Sequence, residues 1–186
     1  RIDEVLNTKV SIEDKPDTKA NPIANGEVAF EHVSFAYPGA KENVLEDISF
    51  VAKTGQTTAI IGGTGSGKTT LVNLIPRFYD VTKGKVMVDG TDIREMSQES
   101  LREAIGYVPQ KGVLFSGTIA SNLRYGKEDA TKEQVMDAAR IAQAKEIIDG
   151  KKDGLDSAIA QGGSNVSGGQ KQRFSIARAI VKDPKI

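Results

Sequence analysis

Residues 62–69, Gly-Gly-Thr-Gly-Ser-Gly-Lys-Thr, set a lysine and a hydroxyl directly behind a run of glycines. Lacking Cβ atoms, such a run lets successive backbone N–H groups turn inward around an anion. Lys68 adds a point charge that can reach the β- and γ-phosphates of a nucleotide, and the Thr69 hydroxyl can ligate Mg²⁺. The flanks agree: the apolar run 57–61 enters as an expected strand, and 69–75 leaves as an expected helix. A glycine-rich surface turn matching by chance would not need that context. Gly62, Gly63, Thr64, Gly65, Ser66, Gly67, Lys68, Thr69 and Thr70 are therefore the candidate binding residues for a nucleoside triphosphate.

Ser167-Gly168-Gly169-Gln170 raises a different question. It opens a helical pattern in which Ile176, Ala177, Ile180 and Val181 recur at helical spacing. Ser167 and Gln170 fit a capping box. Each glycine in that first turn nevertheless costs about 1 kcal/mol relative to alanine. The cost is understandable if the helix tip must come close to a phosphate, with Ser167 Oγ, the glycine N–H groups and the helix dipole aimed at it. A capping box with incidental glycines is the competing reading. Two phosphate sites with a single lysine suggest two chains packed head to tail, each loop's nucleotide covered by the partner's serine-glycine tip.

These clusters need elements to position them. Val28–Tyr37 alternates apolar and polar residues with one slip of phase near His32, which predicts a strand with a bulge. Strands are also expected at 44–52, 57–61, 85–90 and 104–110, and helices at 68–75, 98–104, 118–124 and 132–148. Thr131 and Gln134 form a second expected capping box. Antiparallel strands followed by alternating strands and helices define a mixed α/β domain. Ahead of it, residues 1–26 are polar with two prolines and read as a linker, with Ile2, Val5 and Leu6 on one side of a helix end.

The composition narrows the function. With 186 residues there is room for one domain with a sizeable core. Lys plus Arg and Asp plus Glu each number 25, so no basic footprint for nucleic acid exists. There is no cysteine and hence no disulfide framework. No apolar run approaches the roughly 18 residues of a membrane span, and the chain is expected to be soluble by itself. It opens on Arg1 rather than Met and stops just after "KDPK", which reads as a turn feeding a further strand.

Across residues 27–186 the sequence resembles the nucleotide-binding domains of the ATP-binding cassette (ABC) family. "GGTGSGKTT" is similar to their Walker A loop and "VSGGQKQR" to their signature motif, with Val166 in place of the usual leucine. "YVPQ" resembles the Q-loop, and "FAYPG" the A-loop whose aromatic stacks on adenine. The resemblance implies a RecA-like P-loop core, an antiparallel β subdomain, a helical subdomain between Gln110 and the signature, and ATP-driven head-to-tail closure with a second cassette. It implies roles for Tyr37 on adenine, for Gln110 at Mg²⁺ or the attacking water, and for Ser167, Gly168, Gly169 and Gln170 at the partner's ATP. From chemistry alone, Tyr37 is a half-buried strand aromatic and Gln110 a polar strand-end residue. Lys171, Arg173, Arg178 and Lys182 are most simply a solvated helix face. His32 cannot be the family's switch histidine, which comes near the C-terminal end of the domain.

Further motifs resemble exporters in particular. "RIDEVLNTK" with its polar linker is similar to the segment after an exporter's last transmembrane helix, and "GVLFSGTIASNLRYG" to the stretch that meets its coupling helices. The exporter pattern Thr-Glu-Val-Gly-Glu-Arg-Gly appears as "SAIAQGG", with both acidic positions replaced, by Ala158 and Gln161. That departure resembles one half of a heterodimeric exporter. The implied partners are a second cassette and, through the Q-loop region, a transmembrane domain. The implied location is the cytoplasmic side of the cell membrane. No Asp-Glu-ended apolar strand follows the signature helix, so this stretch alone is expected to bind ATP and hydrolyse it poorly or not at all. A soluble ABC ATPase of DNA repair or translation, and another phosphate-loop protein such as a kinase or GTPase, are the competing classes.

Overall fold

A computed structural model describes residues 3, 6, 7, 10–16, 18 and 22–186. Ile2 and Val5 of the expected helix end lie outside the described residues. The chain divides into two compact units, residues 1–105 with 185–186, and residues 106–184.

The first unit is built on an antiparallel sheet in the order β2-β1-β3-β4, formed by β1 (Val28–Phe35), β2 (Leu45–Ala52), β3 (Lys83–Val88) and β4 (Thr91–Asp92). Val28, Phe30, Val33 and Phe35 of β1 are buried, as the slipped alternation requires. The slip is a bulge: the β1–β2 register shifts between Phe30 and Val33, and His32 sits there at φ 47°. Gly84 of β3 faces the bulge at φ 76°, where a Cβ would lie 2.3 Å from the carbonyl oxygens of both Glu31 and His32. Phe30 stacks on Phe50 at 4.7 Å, and Leu71 and Leu74 of α1 (Lys68–Leu74) join the same apolar cluster. A 3₁₀ turn at Ile93–Glu95 and α2 (Gln98–Glu103), capped by Ser97, complete the unit.

Two backbone tethers hold the approach to β1. Asp89 accepts hydrogen bonds from the N–H groups of Ala24, Asn25 and Glu27, each at 2.9 Å. Farther upstream, Asp14 accepts from the Gln98 backbone N–H at 3.0 Å, and Lys15 pairs with Glu95.

The second unit is mostly helical. It contains α3 (Ile119–Arg124), α4 (Lys132–Ile141), α5 (Lys145–Asp149) and α6 (Gly168–Val181), with a two-residue ladder between β5 (Gly117–Thr118) and β6 (Ala158–Ile159). Leu114, Leu123, Val135, Ala139, Phe174 and Ala177 are fully buried or nearly so and form its core. The capping boxes at Thr131/Gln134 and Ser167/Gln170 both form, and a third, unexpected one joins Thr118 and Ser121.

Three expectations are corrected. Segments 57–61 and 104–110 are not strands. A strand requires a neighbouring backbone edge, and among the described residues none is offered; Ile61 is 93% exposed. The ladders among the described residues are accordingly all antiparallel. The helix expected over 132–148 is two helices. At the break Gln143 takes φ 56° and the Ala144 N–H reaches back to Ala139 at 2.7 Å, a six-residue helix-ending bond with glutamine where glycine is usual. The third correction, on the face of α6, belongs with the site.

Candidate functional site

The loop ahead of α1 folds around Lys68. Its ammonium donates to the carbonyl of Gly62 at 2.8 Å and of Gly63 at 2.5 Å, and lies 3.3 Å from Ser66 Oγ. Ser66 Oγ donates to the Gly63 carbonyl at 2.9 Å. Gly67, at φ 82°, is the residue from which α1 departs. A Cβ there would lie 2.8 Å from Leu45 Cδ2, so both backbone and packing demand glycine. A Cβ on Gly62 would lie 2.6 Å from Ser66 Oγ. Val44 and residues 65–70 line a cavity of about 180 Å³. An open, glycine-lined cavity, one cation and an exposed hydroxyl at Thr69 fit a triphosphate with Mg²⁺. Gly62–Lys68 would hold the phosphates and Thr69 the metal.

Tyr37 stands beside this loop. Its hydroxyl lies 2.8 Å from Thr70 Oγ1, and Thr70 is 5% exposed. The ring meets Phe35 and Tyr79 edge-on, at 5.0 and 5.2 Å. Tyr37 is only half-buried, so an aromatic surface is held against the first turn of the phosphate-loop helix. Sequence alone did not supply the Tyr37–Thr70 bond, because the residues are 33 positions apart.

At the serine-glycine tip, Ser167 Oγ accepts from the Gln170 N–H at 3.3 Å, and Gln170 Oε1 accepts from the Ser167 N–H at 3.1 Å. Ser167, Gly168 and Gly169 are exposed. Neither glycine has a left-handed φ, and a Cβ on either would meet nothing within 4 Å. Among the described residues nothing requires glycine there. Gln110 is exposed and belongs to the second unit, as the tip does, whereas the loop belongs to the first.

The basic face of α6 is not simply solvated. Lys171 donates to the Gly162 carbonyl at 2.9 Å, and Arg173 donates to the Gln143 carbonyl at the α4–α5 break, also at 2.9 Å. Arg178 makes the most contacts, donating to Asn122 O at 2.9 Å, Asn122 Oδ1 at 2.9 Å and Val113 O at 3.0 Å. These cations act as ties because carbonyls left free by turns and helix ends need donors. Periodicity cannot show that need.

An antiparallel sheet, a helical unit and a complete Gly-x-x-x-x-Gly-Lys-Thr loop define a phosphate-loop nucleotide-binding domain. The family model described as "ABC transporter" matches residues 45–186, and the chain belongs to that family. It is 50% identical over 191 residues to an uncharacterised ABC transporter ATP-binding protein of Mycobacterium tuberculosis, which covers 100% of this chain and 32% of the relative. An ATP-dependent lipid A-core flippase of Desulfotalea psychrophila is 42% identical over 186 residues, again covering 100% of this chain and 32% of the relative. Among solved structures, a bacterial Atm1-family ABC exporter with ATP bound superposes with a TM-score of 0.91 at 38% identity, over 97% of this chain and 32% of that one. The chain spans about a third of the length of these relatives, and its fold is that of an exporter's nucleotide-binding domain. Among the described residues no helix is long and apolar enough to cross a membrane.

Proposed function

We propose that this chain is the ATP-binding part of a membrane exporter, binding MgATP at residues 62–70 with Tyr37 on the adenine. Ser167–Gln170 then covers the nucleotide of a second cassette packed head to tail. The observation that carries this reading is the pair of exposed glycines at a helix tip that nothing among the described residues explains. Close approach by an outside phosphate does explain them. Gln110 and the exposed Val113, Phe115 and Tyr125 after it form the face offered to a transmembrane domain. The names of the relatives support export as the work done, and turnover belongs to the longer protein.

Ser167→Arg in the full-length protein is the test. The bulky cation obstructs the partner's nucleotide and leaves residues 62–70 intact. Nucleotide affinity should stay at the wild-type value while ATP-dependent association of the cassettes, read by cross-linking, and ATP turnover are both lost. Normal association and turnover in this variant would make the tip a helix cap only. Upstream sequence with several apolar spans of roughly 20 residues would support the membrane assignment.

A further inference from the structure

We propose that Arg178 is a positioning residue for ATP turnover: it locks the segment after Gln110 to the signature helix α6, so that Gln110 and the Ser167–Gln170 tip are carried on one piece. The proposal rests on the nucleotide reading above and deepens it.

The lock consists of one arginine and one asparagine. Arg178 reaches from α6 to the carbonyl of Val113, three residues after Gln110, and to both the backbone and side-chain oxygens of Asn122 on α3. Asn122 is 2% exposed and holds the same segment a second time. Its Oδ1 accepts from the Phe115 N–H at 2.8 Å, and its Nδ2 donates to the carbonyls of Phe115 at 2.8 Å and Thr118 at 3.0 Å. The guanidinium also lies over the rings of Phe115, at 5.3 Å, and Tyr125, at 5.7 Å. Close packing adds a backbone contact: a Cβ on Gly112 would lie 2.8 Å from the Lys171 carbonyl oxygen, so the segment runs directly along α6.

The chemistry of the lock points beyond stability. Burial pulls the Arg178 guanidinium below its ordinary value, and no carboxylate pairs with it among the described residues. A well-packed apolar side chain would fill the same space without desolvating a cation. An apolar side chain could not, however, grip two separate carbonyls in a fixed plane as a guanidinium does. Phe115 and Tyr125 remain 46% and 68% exposed, so a push on those rings from outside bears directly on the arginine and through it on α6.

The experiment uses the full-length protein with Arg178→Lys, which keeps the charge and loses the planar fork. Expected is a roughly ten-fold fall in kcat with KM for ATP and nucleotide affinity within two-fold of wild type. Amide exchange should rise roughly ten-fold at residues 113–118 and stay unchanged at 62–69, since loosening is local when a cooperative unit loses one tie. Should this variant fail to fold, Phe115→Leu removes one ring and no hydrogen bond, and the same measurements should show about a three-fold effect. Unchanged kcat and exchange in a folded variant overturn the proposal. A loss of nucleotide affinity that matches the loss of kcat also overturns it, because that reports general damage. The exchange measurement does not depend on ATP chemistry, so failure of the lock is distinguishable from failure of the nucleotide reading, which Ser167→Arg tests separately.

Discussion

At the phosphate loop, Gly65 and Gly67 hold φ values of 79° and 82°, and a methyl on Gly67 would strike Leu45. At the serine-glycine tip, Gly168 and Gly169 carry ordinary helical backbone and face open space. Both regions are glycine-rich starts of helices, and they use the residue for different reasons. In the loop, the fold of the chain itself demands glycine. At the tip the described residues make no such demand, and on the proposed reading the demand comes from the nucleotide of a second cassette. The lysine separates them again: Lys68 is folded into its loop by two carbonyls, whereas Lys171, which follows Ser167–Gln170, is tied away to the Gly162 carbonyl.

The largest expected effect tests that asymmetry at the cation. Lys68→Ala should cost about 2 kcal/mol or more of MgATP binding, the size of hydrogen bonds to charged groups, and should abolish turnover of the full-length protein. Titration of nucleotide affinity checks it; wild-type affinity would remove the loop from the comparison. Next in size is a paired substitution read by thermal melting. Gly67→Ala should destabilise by about 1–3 kcal/mol or more, for a left-handed φ with a clash added. Gly169→Ala should instead stabilise by up to about 1 kcal/mol while suppressing turnover. Equal destabilisation by both would erase the difference between the two regions.

Smaller effects sharpen the loop side. Tyr37→Ala should cost about 1–3 kcal/mol of ATP binding, the scale of base–aromatic stacking. Tyr37→Phe should leave ATP affinity nearly unchanged, yet cost about 0.5–1.5 kcal/mol of stability, because buried Thr70 loses its partner. A fall in affinity for Phe as large as for Ala would mean that the hydroxyl, and not the ring, serves the nucleotide. The smallest effect concerns Asp89, which belongs to neither region. Burial pushes the Asp89 carboxyl up, but hydrogen bonds from the backbone of Asn25, Glu27, Ala24 and Gly26 outweigh this and hold it below the ordinary aspartate range. A depressed carboxyl contributes stability above its unfolded value and loses it as pH falls through the folded one. Melting curves of wild type and Asp89→Asn should therefore differ at neutral pH and converge below about pH 4. A gap that persists into acid would show the tether to be indifferent to charge.

Local chemistry was the legible part of this chain. The loop, the bulge near His32, the capping boxes at Thr131 and Ser167 and the first helix follow from neighbours within about four residues, where sequence spacing is spatial distance. Strands at 57–61 and 104–110 were misread because strand propensity cannot reveal whether a neighbouring edge exists. Gln143 hid a helix end by taking a backbone shape that glycine usually advertises. The motifs around Lys68 and Ser167 are likewise local, whereas ties between residues distant in sequence are not. Arg178 meets Val113 across 65 residues and Asn122 across 56, separations over which no periodicity carries information.

Gly84 and the His32 bulge have a consequence for how the sheet is reached from the unfolded chain. β1 and β3 lie some fifty residues apart, so bringing them together closes a long loop. A partner strand that docked one residue out of step would put the apolar side chains on the wrong face and would have to separate before trying again. A one-residue slip would also bring Lys83 or Lys85 to the place of Gly84, where a Cβ has only 2.3 Å to the carbonyl oxygens of Glu31 and His32. A misregistered pair would thus meet a backbone clash as well as a reversed face. The bulge and its glycine would in this way act as a key that favours one strand pairing over its neighbours.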